Sequence, residues 1–123
     1  MKPEEVEAIA QATVKFLGYK KPLVIVWIKG INHSYAIAKK GSKEGRIFFN
    51  AYLALQDDFY QTWVAVHEAC HVVISNSYGM EHAHDKVFKD AERSVLKGFG
   101  LDVDYASKYP KKLTFFGKTV FQR

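Results

Sequence analysis

From Trp63 to Ile74 the chain is apolar at every position except three: His67, Glu68 and His71, with Cys70 between them. A segment of this length that is apolar on all sides reads as a buried helix. Two imidazoles and a carboxylate inside such a helix are costly unless each finds a partner. The five residues His67-Glu68-Ala69-Cys70-His71 fit the pattern His-Glu-x-x-His. Residues four apart lie one turn apart on the same helix face, so both imidazoles can reach one metal ion. Glu68 falls about 100° round the helix from His67, beside the ion and not on it. From there it can act as general base on a metal-bound water, whose pKa zinc lowers to roughly 7. The competing reading, two core histidines and a glutamate each satisfied by a neighbour, needs three separate accommodations.

A catalytic zinc takes a third protein ligand. The candidates downstream are His82, His84, Asp85 and Glu92. Val87, Phe88, Ala91, Val95 and Phe99 recur at helical spacing, and His84, three and four residues ahead of the first two, extends that stripe inward. His84 is therefore the expected third ligand, with Glu92 second. Cys70 reads as a small residue for close helix packing, and His33, at a turn before a strand, as a surface residue.

Around this centre the chain divides into short elements. Pro3 to Leu17 reads as a helix with Val6, Ile9, Ala10, Thr13, Val14 and Leu17 on one face, stopped by Gly18. Leu23–Ile28, His33–Ala38 and Arg46–Phe49 read as strands, the last two separated by a turn at 41–45. Asp57 or Asp58 caps the long helix, which runs to about Asn76. A further helix is expected from His84 to Phe99, and a strand somewhere in Leu113–Phe121. These elements predict an α+β fold with a small, three-stranded, mostly antiparallel sheet.

With 123 residues there is room for one domain with a real core. The absence of an eighteen-residue apolar run predicts no membrane span. The charged start, Met1-Lys2-Pro3-Glu4-Glu5, has no apolar signal core, and a lone cysteine suits a reducing compartment, so a cytoplasmic location is expected. Net charge is +5 and unevenly placed. Between Lys15 and Arg46 the only acid is Glu44, and from Tyr105 to Arg123 there is none. In that last stretch Lys108, Lys111, Lys112, Lys118 and Arg123 alternate with Tyr105, Tyr109, Phe115, Phe116 and Phe121. Cations interleaved with aromatics suit a polyanion with stackable bases, single-stranded DNA for instance. A solubilising surface with core-packing aromatics explains the same pattern equally well.

Taken together, His67-Glu68-Ala69-Cys70-His71, twelve intervening residues, and His84-Asp85-Lys86-Val87-Phe88-Lys89 resemble the SprT-like zinc metallopeptidase domain and the related WLM peptidases. Arg46-Ile47-Phe48-Phe49-Asn50-Ala51-Tyr52-Leu53 is similar to the strand, ending in Asn, that precedes the active-site helix in that family. The resemblance covers about residues 3–101 and leaves a basic, aromatic tail at 102–123. It implies a minimal zincin-like domain over residues 1–123 with Zn2+ held by His67, His71 and His84 and Glu68 as base. It also implies proteolysis, in several members directed at DNA-bound or DNA-crosslinked proteins, with a peptide added as a strand at the edge formed by Arg46–Phe49. Two features depart from the family. Asp85 stands where Gly is usual, and the zinc ribbon of many members is absent, since Cys70 has no companions. Tyr78 and His82 are near enough to be considered for transition-state stabilisation.

Two further functions compete with a DNA-directed peptidase. One is a nucleic-acid-binding module whose metal is structural, closed by His82 as fourth ligand. The other is a peptidase acting on a peptide or protein substrate without any nucleic acid.

Overall fold

The computed structural model describes residues 1–39, 41–77, 84–106 and 109–123. Its centre is the long helix α2 (Asp58–Ser77), in which every residue from Gln61 to Cys70 is buried. Asp57 starts it: its Oδ1 accepts from the Tyr60 N–H at 2.8 Å, satisfying one of the free donors of the first turn. A helix buried on all sides needs cover on all sides, and the remaining elements provide it.

Helix α1 (Pro3–Phe16) packs Val6, Ala10, Thr13 and Val14 along α2. Pro3 sits in its first turn, Glu4 and Glu5 favour its positive end, and Lys15 its negative end. A first sheet lies against α2 in the order β1-β3-β2, from β1 (Leu23–Ile28), β2 (Tyr35–Ile37) and β3 (Gly45–Asn50). In β3 Gly45, Ile47 and Phe49 are buried and alternate with more exposed residues, the period-two signature of a strand with one face on the core. Gly45 has no room for a side chain: a Cβ there would lie 2.6 Å from Val72 Cγ1 and 2.8 Å from Tyr19 Oη.

Helix α3 (Lys86–Gly98) buries Phe88, Glu92, Val95 and Leu96 and leaves its other face to solvent. It leads through Gly100 into a second sheet, the antiparallel meander β4 (Leu101–Ala106), β5 (Tyr109–Phe115) and β6 (Lys118–Gln122). Leu101, Val103 and Leu113 of this sheet join the same core as α1 and α2. Among the described residues no helix is long and apolar enough to cross a membrane.

The α+β class, the three helices and the first three strands agree with the sequence reading, but the sheets do not. Among the described residues there are two three-stranded sheets where one was expected. The first is mixed: β1 and β3 pair in parallel, Ile25 opposite Ile47, and only β2 runs antiparallel to β3. Strand β3 is thus the middle strand, and the edge expected at Arg46–Phe49 is instead β2 on one side and β1 on the other. The segment read as a tail forms strands, because Leu101-x-Val103 and Leu113 supply an apolar face that α2 and α3 cover. Most of its aromatics follow: Tyr105, Phe115 and Phe121 pack against the core, while Phe116 stays 81% exposed.

Candidate metal centre

Three imidazoles meet where α2 faces the start of α3. His67 and His71 come from one face of α2, as their spacing predicted. His84 Nε2 lies 2.9 Å from His71 Nε2 and 3.2 Å from His67 Nε2. The three ligand atoms all fall within 4.8 Å of one another.

His84 arrives by a different route from the one its spacing suggested. It is not on α3, which begins at Lys86, but in the turn before it, with φ at +63°. Asp85 is the helix N-cap, its Oδ1 accepting from the Phe88 N–H at 3.2 Å. The left-handed backbone at His84, disfavoured for a residue with a Cβ, turns the imidazole back over α2. The stripe itself is narrower than expected, since Val87 is 40% and Phe99 39% exposed. Tyr78 and His82 lie outside the described residues.

Glu92, weighed as a ligand, has another position. It is fully buried, and its Oε1 sits 3.0 Å from His67 Nδ1. Its Oε2 accepts from the Tyr105 hydroxyl, on β4. With a carboxylate at Nδ1, that nitrogen carries the proton and His67 Nε2 presents a lone pair to the cluster. Burial, then the charges of His67 and His84, push His71 down to about 3, so its ring is neutral. Phe88 is buried beneath all three rings, with centroids at 5.1 Å from His67, 4.6 Å from His71 and 5.1 Å from His84. Three imidazole Nε2 atoms converging on one point over an apolar floor form a donor set that a divalent metal ion fits.

Glu68 is 4% exposed, and its Oε2 has no hydrogen-bond partner among the described residues. Burial, with the Glu92 charge adding to it, pushes its carboxyl up to about 8 in the metal-free protein. A cation held by the neighbouring histidines opposes both effects by favouring the ionised form. Burial likewise raises the Cys70 thiol, which is fully enclosed and, as expected, a packing residue.

His67 and Glu68 line one side of a cleft of about 590 Å³. Trp63, Val64 and Tyr60 continue that side towards the start of α2, Phe121 enters from β6 with Arg123 just past its end, and residues 32–34 form another part of the lining. His33 is exposed, as expected, yet it belongs to this cleft. Asn50 holds the 31–34 segment, its Nδ2 donating to Ile31 O at 2.8 Å and its N–H to Ser34 Oγ at 2.9 Å. Its Oδ1 accepts from Tyr52 N–H, capping the short 3-10 helix Ala51–Leu55 on the cleft rim.

Glu92 as a brace, Tyr105 and Phe88 were not assigned to the site from sequence. Glu92 carried a signal, an acid four residues after Phe88 on a buried face. Tyr105 carried none, because its partner is brought to it only by the packing of β4 on α3.

The fold that carries this cluster is shared with a metallopeptidase. The chain is similar to the crystal structure of the metallopeptidase zymogen of Pyrococcus abyssi abylysin, with a TM-score of 0.53 over 73% of this chain and 78% of that one, at 19% identity. No protein-family model matches the sequence, and no curated protein does.

Proposed function

We propose that this protein is a zinc-dependent endopeptidase of the SprT-like type, with His67, His71 and His84 as metal ligands and Glu68 as general base. The observation that carries the reading is the meeting of three lone-pair donors with a buried, unpartnered carboxylate oxygen at the side of an open cleft. The likeness to a metallopeptidase zymogen supports it. Tetrahedral zinc with ligands at about 2.0–2.1 Å sets nitrogens about 3.4 Å apart, close to the 2.9 and 3.2 Å seen here.

When bound, zinc supplies a Lewis acid that polarises a carbonyl and acidifies a water molecule. Glu68 takes the proton of the attacking water on its free oxygen and returns it to the leaving amine nitrogen. Its burial keeps that proton from bulk solvent, and a cation beside it would hold the carboxylate ionised, as a general base requires. Glu92 keeps His67 in the tautomer that leaves Nε2 free. A peptide lies along the cleft, with β2 the sheet edge nearest α2 for main-chain pairing.

The test is Glu68→Gln. Zinc content stays at that of the wild type and cleavage of an unfolded protein substrate falls at least a thousand-fold. A variant as active as the wild type overturns the reading.

Association with DNA-bound substrates is a further part of the proposal. It is motivated by the net charge of +5 and by exposed Phe116 beside Lys118 on the β5–β6 turn. Its measure is affinity for single-stranded DNA, which falls steeply with added salt if several phosphates are contacted. No binding even at low salt leaves a peptidase for free peptide or protein substrates. Binding together with a metal that has four protein ligands favours the structural-metal module.

A further inference from the structure

We propose that the cleft selects peptides with a large apolar, above all aromatic, side chain within two residues of the bond presented to Glu68, and that Tyr60, Trp63 and Phe121 form its seat. The inference rests on the peptidase reading and adds the substrate class.

A continuous row of rings leads out from the metal cluster. Trp63 lies 4.6 Å from His67, Tyr60 5.6 Å from Trp63, and Phe121 5.3 Å from Tyr60, all between centroids. All four residues line the same cleft. Along α2, Trp63 is one turn and Tyr60 two turns before His67, about 6 and 10 Å along the axis. An extended peptide advances about 3.3 Å per residue, so a side chain one or two positions from the reacting bond reaches the row.

The row is built and held. Phe121 comes from β6, opposite Leu113 of β5, and the Arg123 N–H donates to Lys111 O at 2.9 Å, fixing the strand beyond it. The Arg123 guanidinium covers the Phe121 ring at 6.0 Å. Trp63 is the buried member of the row, at 4% exposure. Tyr60 and Phe121 are only partly buried and give the row its accessible ring area, which a peptide with a large apolar side chain fits. The acid in the cleft lining is Glu68, already assigned to proton transfer.

The test uses zinc-loaded full-length Glu68→Gln protein, which binds without turnover, and fluorescein-labelled decapeptides that differ only by Phe or Ala at one position. Anisotropy is expected to show the Phe peptide bound about ten-fold or more tightly, equivalent to about 1.4 kcal/mol. Phe121→Ala and, separately, Tyr60→Ala narrow that ratio to under three-fold, and Tyr60→Phe restores it. Phe121 is at the end of β6 and half-buried, so its variant tests the seat even where Tyr60→Ala does not fold. Equal affinity for the two peptides overturns the proposal, as does a ratio unmoved by Phe121→Ala. Discrimination by this protein alongside a wild type that cleaves neither peptide sinks the peptidase reading and leaves the seat standing.

Discussion

A single side chain braces the histidine cluster from behind His67. Glu92 is buried with both oxygens used, one on His67 Nδ1 and one on the Tyr105 hydroxyl. Tyr105→Phe leaves Oε2 without a donor in a place water does not reach. Loss of such a supporting group weakens metal binding by about 10–100-fold, and zinc competition against a chromophoric chelator is expected to show it for Tyr105→Phe and Glu92→Gln. Affinity unchanged in both variants would mean that the brace does not act on the metal. The ionisable residues also set a pH response for the metal-free protein. Between about 4.5 and 8 the native state keeps a proton on Glu68 that the unfolded chain has released, so stability falls as pH rises through that window. Between about 3 and 6.5 the unfolded chain holds a proton on His71 that the native state excludes, so stability falls as pH falls. Chelator-treated protein should therefore melt highest where the windows overlap, at roughly pH 4.5–6.5. Thermal melts across pH that rise steadily towards pH 8 would contradict this.

At the scale of elements, much was legible because local signals and burial agree. Proline and acids at its start and a one-faced apolar pattern mark α1, and β1 runs over the six residues expected. His84 joins His67 and His71 by a route other than the helical stripe its spacing suggested: it lies ahead of α3, with a left-handed backbone, next to the Asp85 cap. Periodicity sees helices and cannot see a turn of this kind. Sheet order was not legible either, since β1 and β3 pair across an intervening strand and only long-range packing fixes their direction. Asp85, a departure from the resembled pattern, has a structural role that suggests its own test. Asp85→Ala removes the cap on Phe88 N–H and should cost about 1 kcal/mol of stability, with zinc affinity falling too because His84 is its neighbour. Stability reduced with zinc affinity intact would separate the cap from the ligand. Gly45 is the tighter constraint. Its Cβ would meet Val72 and Tyr19 below 3 Å, so Gly45→Ala should lower stability by about 1–3 kcal/mol through overpacking. A melting temperature equal to the wild type would mean that β3 can move off α2 freely.

Across the whole molecule the cluster works as a tie. His67 and His71 belong to α2, His84 to the turn that opens α3, and Glu92 and Tyr105 extend the connection to β4 and the second sheet. The second sheet shares the core that this connection crosses, with Leu101, Val103 and Leu113 buried in one cluster with residues of α1, α2 and α3. An ion that binds the native state and not the unfolded chain stabilises it by RT ln(1 + [L]/Kd), about 2.7 kcal/mol at a hundred-fold excess over Kd. For a chain of this size that corresponds to a rise in melting temperature of roughly 10 °C. Zinc-loaded wild type treated with a chelator is therefore expected to lose about that much, and His84→Ala protein to lose almost nothing, since two histidines on one helix tie no elements together. The comparison distinguishes a tie from a local ligand pair. If His84→Ala responds to the chelator as the wild type does, the metal is held by α2 alone and the position of His84 has no thermodynamic consequence.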